Sequence, residues 1–227
     1  MQLIDLFSGI GGLDLGLERA GMICRWQVEI DPFCLRLLEK RWPKVKRYED
    51  IRSIKHETLE RVDLIAGGFP CQDVSHAGPR IGIDGPRSGL WREFDRIICY
   101  LRPRLVFVEN VTGLLDRGIE RVLGDLAEIG YDAEWDCISA CAFGAPHPRE
   151  RVFVLAYPKG ERQGQLRRLK CSQESTPQRH IHWEKREPQC ERVVNGIPDG
   201  MDRLKSLGNS VSPIVAEWLG RRIMEAA

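Results

Sequence analysis

Residues 2–20 read Gln2-Leu3-Ile4-Asp5-Leu6-Phe7-Ser8-Gly9-Ile10-Gly11-Gly12-Leu13-Asp14-Leu15-Gly16-Leu17-Glu18-Arg19-Ala20. A short apolar run over Gln2 to Phe7 predicts a buried strand. Leu13, Leu17 and Ala20 recur at helical spacing, and Gly21 stops that helix. Between them lies a turn carrying Gly9, Gly11 and Gly12. Glycines there let the backbone approach a ligand closely, and the helix N-terminus offers free N–H groups to a carboxylate or phosphate. Glu29 follows about twenty residues on, at the end of a second strand, where a carboxylate commonly takes a ribose hydroxyl. Asp50, one segment later, is placed to take an adenine amino group. The bland alternative is a glycine turn used only for packing.

Outward from this unit the same alternation repeats. Strands are expected at Cys24 to Ile30, Val62 to Ala66, Leu105 to Val108, Tyr131 to Ser139 and Arg151 to Ala156. Helices are expected at Phe33 to Arg41, Trp91 to Leu101, Ile119 to Ile129 and Pro213 to Met224, the last after a Gly208-Asn209 turn. Repeated β-α units predict an α/β fold with a mostly parallel sheet and helices on both faces. The 227 residues carry 34 Lys and Arg against 33 Asp and Glu. That near balance argues against general polyanion binding, while leaving room for a local basic face. No apolar run approaches about 18 residues, and the first residues enter a strand without a basic leader. No membrane span and no export signal are therefore expected. The eight cysteines show no metal spacing, so reduced thiols in a cytoplasmic protein are the default.

Two further elements end strands. Gly67-Gly68-Phe69-Pro70-Cys71-Gln72 places a thiol at the carboxyl edge of the sheet, where ligands of open α/β sheets bind. Cys71 is there a candidate nucleophile or, equally, a small buried apolar residue. Glu109-Asn110-Val111 follows another strand. Burial would raise the pKa of Glu109 and make it a proton donor; a helix cap or surface acid is the alternative.

Taken in this order, the elements resemble the DNA (cytosine-5)-methyltransferase family. The likeness rests on Phe7 to Gly12, Pro70-Cys71-Gln72, Glu109-Asn110-Val111, Arg149-Glu150-Arg151 and Gly208-Asn209-Ser210-Val211. It spans residues 3–158 and about 203–220. The resemblance implies a Rossmann-like S-adenosylmethionine-dependent methyltransferase fold. Residues 1–158 would bind cofactor and catalyse, 159–202 would be a short target recognition region, and 203–227 would pack back on the catalytic part. It implies that the Cys71 thiolate adds to C6 of a flipped-out cytosine, that Glu109 assists at N3, and that the methyl group passes from S-adenosylmethionine to C5. Arg151 would contact the cytosine O2 and Arg149 would support the pocket. Phe7, Gly9, Ile10, Gly12, Glu29, Asp50, Pro70, Leu90, Asn209 and Ser210 would hold the cofactor. Double-stranded DNA would be the partner, contacted by Gln72, Ser75, Arg80 and Arg87 of a glycine-rich loop over residues 72–90. A cognate restriction endonuclease and a monomeric state belong to the same expectation.

The chain departs from the family in three places, one of them the segment before Gly208, where Arg192 to Pro198 followed by Asp202-Arg203-Leu204 reads as a compact variant of a longer motif. His147-Pro148 stand where a glutamine usually precedes the arginines. The insert between Pro158 and Arg192 is about 33 residues, too few for its own core. Residues 159–190 hold eight Lys and Arg against four Asp and Glu, and Arg167, Arg168, Lys170 and Arg179 are candidates to reach DNA. The insert reads as a minimal recognition element, a remnant, a segment that folds on a partner, or a solvated loop. Competing with an active enzyme are a weak or inactive DNA-binding remnant or subunit, a tRNA-directed enzyme, and an unrelated small-molecule methyltransferase. The last leaves Pro70-Cys71-Gln72 unexplained.

Overall fold

A computed structural model of the protein describes residues 1–70, 89–146, 149–160 and 200–226. In chain order the elements are β1 (Gln2–Leu6), α1 (Gly12–Arg19), β2 (Ile23–Val28), α2 (Pro32–Arg41), β3 (Lys46–Tyr48) and β4 (Leu64–Gly67). They continue with α3 (Leu90–Leu101), β5 (Leu105–Val111), α4 (Leu114–Arg117), α5 (Ile119–Glu128), β6 (Tyr131–Ser139) and β7 (Glu150–Pro158). Two helices close the chain, α6 (Gly200–Asn209) and α7 (Pro213–Ala226).

The strands form one seven-stranded sheet in the order β3-β2-β1-β4-β5-β7-β6. All pairs are parallel except those of β7, which runs antiparallel to β5 and β6. From β1 the chain builds outward to β3, then returns to lay β4 on the other side of β1. The strand order therefore reverses between β1 and β4. The two crossovers there diverge and leave a crevice at the carboxyl ends of the strands.

Side chains alternate across the sheet, and both faces are buried. Ile4, Leu6, Ile65, Val106, Val108, Val152 and Val154 face α3 and α5, where Trp91, Phe94, Ile98, Val122 and Leu126 meet them. Leu3, Leu64, Ala66, Leu105, Phe107, Phe153 and Leu155 face the other side, with Leu13 and Leu17 of α1 and Val215, Ala216, Trp218 and Leu219 of α7. Two buried faces are why the strands read as continuous apolar runs. The β5–β7 pairing sets Glu109 opposite Phe153 and Val111 opposite Arg151. By strand parity Asp5, Glu109 and Arg151 belong to the α1/α7 side of the sheet.

Three elements differ from the sequence expectation. β3, Lys-Arg-Tyr, has no apolar pattern; it is an edge strand whose Lys46 ammonium lies over the rings of Trp26 (5.0 Å) and Tyr48 (5.2 Å). α4 is a single turn without its own periodicity. Gly208-Asn209 is not a free-standing turn but the end of α6. In that helix Ser206 is buried against Cys34 while Leu207 is 62% exposed. Among the described residues no helix is long and apolar enough to cross a membrane.

α1 and α7 pack at very close range. A Cβ built on Gly16 would lie 2.4 Å from the Ala216 Cβ and 2.6 Å from the Pro213 carbonyl oxygen. Gly16→Val is expected to force the helices apart and cost roughly 1–3 kcal/mol, the range for overpacking a filled core. Urea unfolding should show a lower midpoint with an unchanged slope; an unchanged midpoint would contradict this packing.

Candidate active site

A cavity of about 460 Å³ opens at the carboxyl ends of β1, β2, β4 and β5, where the strand order reverses. That volume lies within the usual range for a small-molecule site, about 300–1,000 Å³. One end is built by the glycine turn. Phe7 ends β1 in the left-handed region (φ 64°), followed by Gly9 (φ 55°) and Gly11 (φ 79°). The backbone reversal turns the Phe7 ring onto Phe94, 6.4 Å between centroids. A phenylalanine at positive φ is strained, and such strain persists only where surrounding packing imposes it.

Glu29 locks this end. Its carboxylate accepts the Gly9 N–H at 2.7 Å and the Asp31 N–H at 2.7 Å. Burial raises its pKa despite those bonds. Asp31 in turn caps α2, accepting from the Phe33 N–H at 2.9 Å, and its carboxylate lies 3.7 Å from Lys205 of α6. One carboxylate therefore joins the turn after β1 to the turn after β2. Each oxygen keeps acceptor capacity for a hydroxyl pair. Asp50 lines the same end; Arg52 holds its carboxyl below the usual carboxylate range through bonds at 2.9 and 2.7 Å.

Asp5 lies on the cavity wall, yet it is only 1% exposed, and neither carboxyl oxygen has a hydrogen-bond partner among the described residues. Behind it are Asp14 of α1, equally buried, and Gln27, which donates to Asp14 Oδ2 at 3.0 Å. Burial and mutual repulsion raise the pKa of Asp5, and burial that of Asp14. Two adjoining buried carboxyls hold a proton between them more easily than two charges. An orphaned acidic acceptor in a cavity wall suits a ligand with positive charge.

At the other end is Glu109, the last but two residue of β5. It is 6% exposed. Desolvation pushes its pKa up to about 7, against the opposing pull of Arg151 and Arg149. Arg151 Nε lies 3.0 Å from Glu109 Oε1. Space for the carboxyl exists because β4 leads into Gly68: a Cβ there would stand 2.7 Å from Glu109 Oε2. The neighbouring Asn110 donates its Nδ2 to the Phe69 carbonyl at 3.2 Å and ties the two strand ends together. Near neutrality Glu109 is thus a group that can hold or give a proton, with a cation beside it.

Of the residues expected from sequence, Phe7, Gly9, Glu29, Asp50, Pro70, Leu90, Glu109, Arg151, Asn209 and Ser210 come together on this cavity. Ile10, Gly12 and Arg149 are not on its lining. Gly12 lies beneath Ser210, and Arg149 bonds the carbonyls of Gly208 and Ser210. Cys71, Gln72, Ser75, Arg80, Arg87, Arg167, Arg168, Lys170 and Arg179 lie outside the described residues. Sequence reasoning passed over Asp5, Asp31 and Ser206. An acid inside an apolar strand was a usable signal for Asp5; nothing in the sequence marks Ser206.

The chain resembles known proteins over most of its length. A family model described as C-5 cytosine-specific DNA methylase matches residues 1–202. The type II methyltransferase M2.BsuMI of Bacillus subtilis is 40% identical over 164 residues, covering 69% of this chain and 42% of the relative. The type II methyltransferase M.AquIA of Picosynechococcus is 34% identical over 181 residues, covering 70% of this chain and 73% of the relative. In fold, the S. pombe Dnmt2 methyltransferase matches with a TM-score of 0.61 at 22% identity, over 72% of this chain and 52% of that one. The chain spans less than half the length of the Bacillus relative.

The Glu109 environment makes a testable statement about pH. Its carboxyl titrates near 7 in the fold and near its ordinary 4.5 when unfolded. Between those values the folded state binds the extra proton, so this group's contribution to stability falls as pH rises from about 4.5 through 7. Glu109→Gln is expected to flatten that slope in unfolding experiments. Arg151→Ala, which removes a charge that lowers the value, is expected to raise the Glu109 pKa further, read by carbon NMR or infrared titration. A Glu109 that titrates near 4.5 in the native protein would contradict the burial described.

Proposed function

The chain belongs to the C-5 cytosine-specific DNA methylase family, and from that premise we propose that it is a DNA cytosine-5 methyltransferase using S-adenosylmethionine. The observation that carries the reading is the single cavity that joins a nucleoside-type end, Phe7 with Glu29 and Asp50, to a protonatable Glu109 beside Arg151.

The residues present fit the cofactor. Its adenosine suits the Phe7 ring, the Glu29 carboxylate and Asp50, and its cationic portion suits the orphaned acceptors of Asp5. When bound, S-adenosylmethionine supplies an electrophilic methyl group.

C5 of cytosine is a poor nucleophile. The Cys71 thiolate adds to C6 of the base, which makes C5 an enamine-like carbon. Glu109, whose raised pKa of about 7 keeps a protonated fraction available near neutrality, donates to N3 and draws charge from the ring as the adduct forms. Arg151 stays beside Glu109 and offers its remaining N–H groups to the base carbonyl. After C5 accepts the methyl group, a base removes the C5 proton and the thiolate leaves. The target must leave the duplex for this contact, so double-stranded DNA with a flipped cytosine is the proposed substrate. Relatives named as type II methyltransferases suggest a restriction–modification setting with a cognate endonuclease.

The test is transfer of labelled methyl from S-adenosylmethionine to unmethylated bacterial DNA. Wild type is expected to label C5 of cytosine and Cys71→Ser to label nothing. Glu109→Gln should lose about 10²- to 10⁴-fold in rate, the usual worth of a general acid. Cofactor binding without any transfer by wild type would instead favour a DNA-binding subunit or remnant.

A further inference from the structure

Arg149 immediately precedes β7 and Arg151 is its second residue. Their guanidinium groups nevertheless go to different places. Arg151 is paired with Glu109. The Arg149 side chain is half-buried, and its Nη2 donates to the carbonyl of Gly208 at 2.8 Å and to that of Ser210. These are backbone acceptors 59 and 61 residues away. They flank Asn209, at the junction of α6 and α7, and Asn209, Ser210 and Val211 all line the cavity.

The junction is held from its other side by a missing side chain. A Cβ on Gly12, the first residue of α1, would lie 2.2 Å from Ser210 Oγ and 2.4 Å from the Val211 carbonyl oxygen. Residues 209–211 are thus seated directly on the head of α1, with Arg149 drawing their carbonyls inward. A charged donor chelating two carbonyls is stronger than a neutral hydrogen bond.

We propose that Arg149 is a positioning residue for the cofactor end of the cavity: it clamps the Gly208 and Ser210 carbonyls and holds residues 209–211 on Gly12. The proposal rests on the reading that this cavity binds S-adenosylmethionine. It separates two arginines that look alike in sequence, one serving the acid and one serving the floor of the cavity. The start of β7 thereby joins the two ends of the site mechanically.

The test is calorimetric titration of the full chain with S-adenosylmethionine, alongside thermal melting without ligand. Arg149→Ala is expected to weaken binding about tenfold or more, the order expected when hydrogen bonds to a charged group are lost. Added guanidinium ion should restore much of that affinity, which a general loss of packing would not allow. Gly12→Ala should weaken binding too, without guanidinium rescue. The double variant should be less than additive, because both changes displace one segment. Arg149→Lys, one bond shorter, should bind with intermediate affinity at an unchanged melting temperature; if the alanine variant fails to fold, this variant decides. Wild-type affinity in both Arg149 variants would overturn the clamp alone. A wild-type chain that binds no S-adenosylmethionine would overturn the clamp together with the cofactor reading.

Discussion

A carboxyl group that is 6% exposed at the end of a central strand is the constraint on which the site depends. Placing Glu109 there costs desolvation, and the fold accommodates it in two ways. Gly68 vacates the volume that the carboxyl fills. Arg151 brings a positive charge to 3.0 Å without pulling the pKa back to its ordinary value. The antiparallel β7 makes this possible, because its first residues lie at the edge where the parallel strands end. A parallel strand in that place would present its last residues instead, with different side chains at the crevice.

The same edge carries the opposite electrostatic problem at its other end. Asp5, Asp14 and Glu29 are acids whose pKa values are all raised by burial. Glu29 is satisfied by two backbone N–H groups, whereas neither carboxyl oxygen of Asp5 has a hydrogen-bond partner among the described residues. One end of the cavity thus has surplus acceptors and the other a protonatable carboxyl beside a cation. That polarity suits a cationic cofactor at one end and a base that accepts a proton at the other.

Much of this was legible in the sequence, and the exceptions have physical causes. Strands buried on both faces announce themselves as apolar runs, so β1, β4 and β7 were found within two residues of their limits and β5 within three. Glycines at Gly9 and Gly11 announce a turn because few other residues tolerate its backbone. β3 was missed because an edge strand of Lys46, Arg47 and Tyr48 gains from ring contacts and not from pattern. α6, with Ser206 buried and Leu207 exposed, was missed. Arg149 could be seen as part of a motif, but its partners are carbonyl oxygens, which every residue has and no sequence marks. Asp5 needed Asp14 beside it before its burial had meaning.

In the proposed mechanism the Cys71 thiolate attacks C6 of a cytosine while Glu109 serves N3. Covalent trapping on DNA carrying 5-fluorocytosine tests it most directly. A fluorine at C5 cannot depart as a proton, so the sulfur–carbon bond to C6 persists. With S-adenosylmethionine present, the account predicts a denaturation-resistant protein–DNA adduct whose proteolytic fragment maps to Cys71 and carries one added methyl on the base. A protein that binds both cofactor and DNA yet forms no adduct at Cys71 would contradict it.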